Sequence, residues 1–412
     1  MNLGKALYCR GFQMALRAAL PLLPYRQPQI IHSCPRLGLL LEDQKIQSVL
    51  IVTDAGIVSH GLLAPVQEAL QKSRIPYTIY DKTQANPTVA NVEEALVQYQ
   101  QQNCQALIAM GGGSAMDCAK AVGARVAYPN KSVGQMKGIL RVLRSLPLLI
   151  AIPTTAGTGS ETTLASVITD SETHHKYALM SFPLIPHYAV LDPCLTYSLP
   201  PQVTATTGMD ALTHAVEVYI GKSTTKETRQ LAMEATRLVF ANLEIAYRDG
   251  TNHTARENML LAAYQAGAAF SKSYVGYIHA IAHSLSGRYG TPHGLANAVM
   301  MPYVLDTYGE CVYEKLHQLG IYAGVCSEED SPQAGAKAFI AAIRTLNHKM
   351  RIPDTIQGIA TKDIPAMANH AEREANPLYP VPRLMTKTEL ERLYYKVAAG
   401  SQETHRDQRR HA

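Results

Sequence analysis

The segment ALIAMGGGSAMDCAKAV, residues 106–122, decides how the fold is interpreted. Its first five residues form a short, uninterrupted apolar run, which is typical of a strand buried on both faces of a parallel sheet. Three glycines and Ser114 follow, and the pattern then becomes helical from Ala115 to Val122. Glycines let a ligand approach the backbone closely, and a helix N-terminus offers unpaired N–H groups to an anion. The segment therefore predicts a strand–turn–helix unit that can hold a pyrophosphate.

The glycine turn alone leaves an alternative open, namely an ordinary turn that binds nothing. The dinucleotide fingerprint GxGxxG is absent, because Met116 occupies the position of its last glycine. A second loop, PTTAGTGSE at 153–161, favours a ligand, since it holds two glycines and four hydroxyl side chains. Such loops at the carboxyl ends of parallel strands are where open α/β sheets bind ligands. Asp54 ends another predicted strand, where it either binds a ribose diol, which favours NAD over NADP, or caps the next helix.

Strand and helix patterns alternate through the first half of the chain. Apolar runs predict strands at 48–54, 77–80, 106–110 and 148–152, and helical patterns lie at 62–73 and 89–102. This alternation indicates a parallel sheet covered by helices. From about Pro200 onward helical periods dominate, at 226–247, 257–270 and 334–346. We predict an α/β dinucleotide-binding domain over 1–195, with a helical extension over 1–25, and an all-helical domain over 196–412.

The N-terminal extension mixes apolar residues with Lys5, Arg10 and Arg17. A targeting peptide has a similar start, but the apolar stretch is broken by Arg17 and lacks a clear cleavage site. We therefore interpret it as an amphipathic helix packed on the body of the protein. The last residues, 401–412, are polar and are expected to be frayed.

A group of candidate metal-binding residues lies in the helical half of the chain. Asp210 and His214 are four residues apart, as are His279 and His283, and residues at this spacing share one face of a helix. His293 follows shortly after. One carboxylate and several imidazoles in otherwise apolar segments suit a divalent metal, whereas HAIAH lacks the glutamate of the zinc-protease motif HExxH. Four further histidines lie in polar stretches and are interpreted as surface residues: His174, His175, His405 and His411.

Composition excludes several other classes of protein. A formal charge of +5 without a basic run argues against a nucleic-acid partner. The seven cysteines are scattered without a CxxC pair, which argues against a cysteine-rich zinc lobe and fits a reducing cytoplasm. No apolar stretch approaches the roughly 18 residues that span a bilayer.

Together these motifs resemble the iron-containing (group III) alcohol dehydrogenases. The matching segments are GGGSAMDCAK at 111–120, PTTAGTGSE at 153–161, GMDALTHAVE at 208–217 and HAIAHSLSGRYGTPHG at 279–294. The resemblance covers roughly residues 45 to 400. It implies an N-terminal dinucleotide-binding domain, a helical C-terminal domain and an active site between them.

The resemblance also implies roles for particular residues. The metal ligands are expected to be Asp210, His214, His279 and His293, with His283 a nearby histidine suited to proton relay. The cofactor residues are expected to be Asp54, Asn86, Gly112, Gly113, Ser114, Asp117, Thr154, Thr155, Thr158 and Lys176. The expected cofactors are NAD, with NADP possible, and a divalent ion, Fe(II) or Zn(II).

The implied activity is hydride transfer between the nicotinamide and a small alcohol or aldehyde, with the metal acting as a Lewis acid on the substrate oxygen. We expect a cytoplasmic homodimer with no nucleic-acid or membrane partner. The alternatives are a glycerol dehydrogenase- or dehydroquinate synthase-like enzyme on the same fold, or a non-catalytic ligand-binding relative. The chain departs from the commonest family pattern at Ser284, at Ser286-Gly-Arg288 and at 31–35. These departures bear on the shape of the substrate pocket and not on the metal or the cofactor.

Overall fold

The computed structural model describes residues 3–170 and 176–398. The four predicted surface histidines and the polar tail lie outside these ranges. The chain divides into two compact units. An α/β unit comprises Pro24–Leu199 and Thr251–Ser271, and a helical unit comprises Met1–Leu23, Pro200–Gly250 and Lys272–Ala412.

The α/β unit is built on a parallel sheet with strand order β1-β9-β6-β4-β2-β3. Its strands are β1 (Gln29–Ile31), β2 (Val49–Val52), β3 (Tyr77–Tyr80), β4 (Ala106–Gly111), β6 (Leu148–Pro153) and β9 (Tyr188–Val190). The four strands expected from sequence are β2, β3, β4 and β6, and all are confirmed. Every residue of β2 and of β4 is buried, which explains why their sequences are continuous apolar runs.

Helices cover this sheet on both faces. They are α2 (Leu37–Asp43), α3 (Ala55–Ser59), α4 (Ala64–Lys72), α5 (Val89–Gln101) and α6 (Gly113–Ala127). Most of α9 (His253–Ser273) belongs to the same unit. Alternate residues of β2 enter different cores, because successive side chains of a strand point to opposite faces. Leu50 and Val52 join the core that includes α5 and α6, and Val49 and Ile51 join the core that includes α2 and α4.

A smaller sheet of three strands was not predicted from the sequence. It consists of β5 (Gly138–Ile139), β7 (Ala165–Thr169) and β8 (Lys176–Met180), in the order β5-β8-β7. Strands β7 and β8 pair antiparallel, whereas β5 and β8 pair parallel. The strands are short, and β7 alternates buried residues with more exposed ones, so they lack the continuous apolar signal of the main sheet.

The helical unit contains α1 (Leu3–Ala19), α7 (Pro201–Ile220), α8 (Lys226–Arg248), α10 (Tyr277–Tyr289), α11 (His293–Tyr308), α12 (Glu310–Tyr322), α13 (Pro332–Lys349), α14 (Ile364–Ala375) and α15 (Lys387–Val397). Helix α7 is the most deeply enclosed, since all residues from Gly208 to Ile220 are buried. Within the described ranges, no helix is long and apolar enough to cross a bilayer.

The sequence predicted two contiguous domains that meet at 195/196. The two units of the structure differ from this division in two segments. Helix α1 groups with the helical unit, where Gln13 Nε2 donates to the carbonyl of Tyr379 at 2.7 Å. The predicted helix over 257–270 forms, within α9, but it groups with the α/β unit, where Tyr264 Oη donates to Pro28 O at 2.6 Å. Periodicity shows that a helix has an apolar face and does not show which body that face packs against.

Candidate metal centre and cofactor loops

Three helices of the helical unit bring the predicted metal donors together. Asp210 lies on α7, His279 on α10, and His293 is the first residue of α11. The Nε2 atoms of His279 and His293 lie 3.8 and 3.5 Å from Asp210 Oδ1. One donor atom from each of the three residues falls within 4.8 Å of the others, which is the spacing of ligands around a single ion.

The close approach of α11 to α7 depends on Gly294. A Cβ at this position would lie 2.2 Å from the carbonyl oxygen of Thr206, a backbone atom of α7. Glycine therefore lets the start of α11 reach the turn of α7 that carries Asp210. His293 is placed against Asp210 by this contact.

His214, the fourth expected ligand, lies beside this group of three. It is buried, and its ring stacks on that of His279 with a centroid separation of 4.4 Å. The i to i+4 spacing with Asp210 thus holds in the structure, because both residues are on α7. The structure brings all the expected metal-binding residues to one place.

The chemistry of the donors fits a divalent ion. The carboxylate of Asp210 is buried, and burial raises its pKa, although His214 and a hydrogen bond from Asn297 oppose the rise. Among the described residues, Nε2 of His279 is a buried nitrogen without a hydrogen-bond partner. A buried imidazole nitrogen facing a buried carboxylate costs free energy unless a cation lies between them. Imidazole with carboxylate is a donor set for Fe(II), Zn(II) and similar ions.

Glu217 is a functional residue that the sequence reasoning missed. Its Oε2 lies 2.6 Å from His279 Nδ1, and its carboxylate also accepts hydrogen bonds at 2.7 Å from the backbone N–H groups of Gly276 and Ile278. Burial raises the pKa of Glu217 to about 8, against the effect of these hydrogen bonds. By holding Nδ1, the carboxylate turns Nε2 of His279 toward Asp210. The available signal was its position on α7, three residues after His214.

We expect Glu217→Gln to weaken metal binding roughly 10- to 100-fold, because an amide NH2 group would replace one of the two oxygens that hold His279 and the neighbouring N–H groups, and a donor would then face a donor. Metal affinity is measured by competition with a chromogenic chelator. Glu244→Gln is the matched control, since Glu244 pairs with Lys349 and Arg248 on an exposed part of α8. Equal metal affinity in the wild type and Glu217→Gln would contradict the orienting role.

His283 occupies a different position from the metal donors. Its ring stacks on His293 at 5.1 Å, and its Nδ1 lies 2.5 Å from Glu374 Oε1, on α14. Burial lowers the pKa of His283, but the adjacent Glu374 carboxylate outweighs it and raises the pKa overall. The side chain is 41% exposed, so it can exchange protons with water. The role of His283 in proton relay stays a prediction, which these contacts allow.

In the α/β unit, the two predicted cofactor loops face each other. The glycine turn links β4 to α6: Gly111 has φ +145°, and Gly112 precedes the first helical residue without a capping side chain. Its N–H groups therefore remain available to an anion. A Cβ on Gly113 would lie 3.4 Å from Thr158, and one on Gly112 would lie 3.7 Å from Thr155. Thr154 fastens the base of the second loop, because its N–H donates to Gly111 O at 3.0 Å.

Lys120 is the last residue of the motif GGGSAMDCAK, and the sequence did not indicate a role for it. In the structure it binds the second loop. Its ammonium is fully buried and lies within hydrogen-bond distance of five oxygens, at 2.7–3.1 Å, on Ser160, Thr163 and Ala165. Burial lowers the pKa of Lys120 to about 8, opposed by Asp117 and Glu161. The fold uses this lysine to fix the loop that carries Thr158.

Asp117 has a position that sequence did not anticipate. Its oxygens accept from Ser160 Oγ at 3.3 Å and from the N–H of Val167 at 3.1 Å. Burial raises its pKa to about 6. Asp117 thus supports the second loop from α6, and this is how we expect it to contribute to cofactor binding.

The remaining expected cofactor residues lie around the glycine turn. Asp54 Oδ1 accepts from the N–H of Ile57 at 3.1 Å, so the capping interpretation holds, while Oδ2 lies 3.3 Å from the Cβ position of Gly111. Lys176 Nζ donates to Asn86 Oδ1 at 2.8 Å, and Ser114 Oγ donates to Ala85 O at 2.6 Å. Asp54 can therefore cap α3 with one oxygen while the other, which faces the glycine turn, remains available to a ribose diol.

Comparison with known proteins identifies the family. The model for "Iron-containing alcohol dehydrogenase" matches residues 31–193, and the model for "Fe-containing alcohol dehydrogenase family, C-terminal" matches residues 204–398. The chain belongs to the iron-containing alcohol dehydrogenase family. Members of this family are metal-dependent, nicotinamide-linked oxidoreductases, and the protein is one of them.

Individual relatives support this assignment. Alcohol dehydrogenase 4 of Saccharomyces cerevisiae is 38% identical over 339 residues, covering 81% of this chain and 87% of that protein. The crystal structure of a 1,3-propanediol oxidoreductase has a TM-score of 0.86 and 34% identity, covering 90% of this chain and 99% of that one. A sulfoacetaldehyde reductase of Bifidobacterium kashiwanohense, solved with NAD+, has a TM-score of 0.81 and 28% identity, covering 91% and 98%.

Proposed function

We propose that the protein interconverts small primary alcohols and aldehydes with NAD, using a divalent ion held by Asp210, His214, His279 and His293. The observation that carries this proposal is the buried carboxylate of Asp210, with the imidazole nitrogens of His279 and His293 at 3.8 and 3.5 Å. A divalent ion bound by these donors supplies Lewis acidity to an alcohol or carbonyl oxygen.

The residues of the chain contribute orientation and proton transfer. Glu217 fixes the ring of His279 through Nδ1 and so presents Nε2. His283 accepts or returns the proton of the alcohol, because its ring lies beside His293 and is partly exposed. Glu374 keeps this histidine oriented, and Tyr379 Oη in turn donates to Glu374 at 2.8 Å.

The α/β unit is proposed to bind NAD. The glycine turn offers the N–H groups of α6 to the pyrophosphate, and Thr154, Thr155 and Thr158 offer hydroxyls from the facing loop. Asp54, beside the turn, repels a 2′-phosphate and so favours NAD over NADP. Asn86 and Lys176, which are hydrogen-bonded to each other, serve the nucleoside and nicotinamide-ribose ends as the family resemblance implies.

The test is a substrate panel with defined metal content. The protein is loaded with Fe(II) or Zn(II), and NADH or NADPH oxidation is followed with short aldehydes, with the reverse reaction run on the matching alcohols and 1,3-propanediol. We expect turnover with NADH, slower turnover with NADPH, and loss of both after chelation. Absence of turnover with every alcohol and aldehyde in metal-loaded protein would refute the proposal, leaving a ligand-binding relative as the better explanation.

We also propose that the protein is a cytoplasmic homodimer. The scattered cysteines suit a reducing compartment, and dimers are the commonest closed assemblies of soluble enzymes. Light scattering on the purified protein and fractionation of the source cells test the two statements separately.

A further inference from the structure

A basic cavity of about 490 Å³ lies in the helical unit, beside the N-terminal helix. Its basic lining residues are Arg10 and Arg17 of α1, Lys222 after α7, Arg229 of α8 and Lys315 of α12. Among the described residues, no acidic side chain lines it. The volume falls within the range of small-molecule sites. Five cations around one cavity favour an occupant that carries negative charge.

These cations meet no carboxylate partner among the residues that the structure describes. Within the described ranges none of the five forms an ion pair, and their hydrogen bonds go largely to backbone carbonyls. Lys315 Nζ donates to Ile220 O and Gly221 O at 2.9 Å. Glu227, two residues before Arg229 on α8, pairs with Lys272 at 2.6 Å. The cavity therefore keeps a concentrated positive charge.

Burial and mutual repulsion within the group both lower the pKa of its lysines. The pKa of Lys315 is lowered to about 8, first by burial and then by Arg229, Lys222 and Arg17. The pKa of Lys222 is also lowered, by burial and by Arg10. An anion in the cavity would raise the pKa of both lysines, because an opposite charge favours the protonated amine.

The cavity depends on a segment outside the family match. The family models begin at residue 31, whereas α1 spans Leu3–Ala19 and supplies Arg10 and Arg17. Helix α1 is fixed in place by buried side chains: Cys9 is 1% exposed, and Gln13 Nε2 donates to Pro377 O and Tyr379 O. The docked helix completes one wall of the cavity.

We propose that this cavity binds a small polyanion, an organic phosphate carrying at least two phosphoryl or carboxylate groups. A single phosphate would leave most of five cations unpaired. A nucleic acid is a poorer match, because the part of the chain that the structure describes places no aromatic side chain in the lining for base stacking. A membrane surface is also a poorer match, because Arg10 and Lys315 are half-buried and donate to backbone carbonyls, whereas a flat bilayer meets outward-facing cations.

The test is calorimetric titration of the full chain with inorganic triphosphate at low ionic strength, with NAD saturating so that the glycine turn is filled. The variant is Arg17→Gln/Arg229→Gln, and both residues are exposed, so folding is not at risk. The matched control is Arg237→Gln/Arg248→Gln, which removes the same charge from ion-paired residues of α8. Dehydrogenase activity is measured on all three proteins to confirm an intact fold.

We expect one saturable triphosphate site in the wild type and the control, and an affinity at least ~10-fold lower in Arg17→Gln/Arg229→Gln. Absence of saturable binding, or an equal loss in both double variants, would overturn the proposal. Binding to anionic phospholipid vesicles without binding of triphosphate would assign the cations to a membrane surface instead. Because activity is read separately, failure of this site is distinguishable from failure of the proposed function.

Discussion

Replacing His279 with alanine is expected to remove bound metal and activity together, with a fall in turnover of more than about 100-fold. His279 supplies a buried nitrogen that faces Asp210 and is held by Glu217 on its other side. Without the imidazole, Asp210, His214 and His293 are a weaker donor set, and the carboxylate of Glu217 is left buried without its partner. Metal content is measured by mass spectrometry and turnover by NADH absorbance, on the same samples.

The control for this variant is His348→Ala. His348 is an exposed histidine of α13 that pairs with Asp354 at 3.1 Å. It should retain full metal content and activity. An active His279→Ala protein with undiminished metal would show that the ion, if it is needed, lies elsewhere.

Replacing Lys120 with methionine is expected to lower the free energy of unfolding by about 3–5 kcal/mol, because it breaks a buried charge network and leaves its oxygens without a donor. The carbonyls of Ser160, Thr163 and Ala165 lose their shared cation, as do Asp117 and Glu161. The second cofactor loop should loosen with them, which raises the KM for NAD. Urea unfolding and initial rates measure the two effects.

The loss of stability in Lys120→Met is expected to depend on pH. The folded-state pKa of Lys120, about 8, lies below its ordinary value of 10.5. Between these values the unfolded chain binds more protons, so this lysine makes the wild type more stable as the pH rises. The difference between wild type and Lys120→Met should therefore be larger at pH 10 than at pH 7.

Lys349→Met is the matched control for the lysine substitution. Lys349 is an exposed lysine that pairs with Glu244 at 2.7 Å, and its loss should cost at most about 1 kcal/mol. A Lys120→Met protein as stable as this control would show that the buried network contributes nothing net.

The central sheet and the metal donors could be predicted from the sequence, because each is encoded by a pattern within a few neighbouring residues. Strands β2 and β4 are buried on both faces, so their apolar runs are continuous. Asp210 with His214, and His279 with His283, follow helical spacing, which brings each pair to one face. The glycine turn likewise lies where a strand pattern changes into a helix pattern.

The features that were missed depend on contacts between distant segments. Glu217 has a role only because Gly276, Ile278 and His279, some sixty positions later, surround its carboxylate. Lys120 binds oxygens forty to forty-five positions away. Helix α1 was expected from its pattern, but its grouping with the helical unit rests on residues 377–382. No spacing rule within one element reveals such partners.

The anchoring of Glu217 bears on how metal enters the protein. Its carboxylate is held by two backbone N–H groups as well as by His279, so the imidazole is already aimed before any ion arrives. The apoprotein should consequently keep its native circular dichroism spectrum, and loading should raise the melting temperature by mass action rather than by refolding. Stripped enzyme should be reactivated at once by adding the ion, which makes metal exchange a practical way to compare Fe(II) with Zn(II) in one and the same preparation.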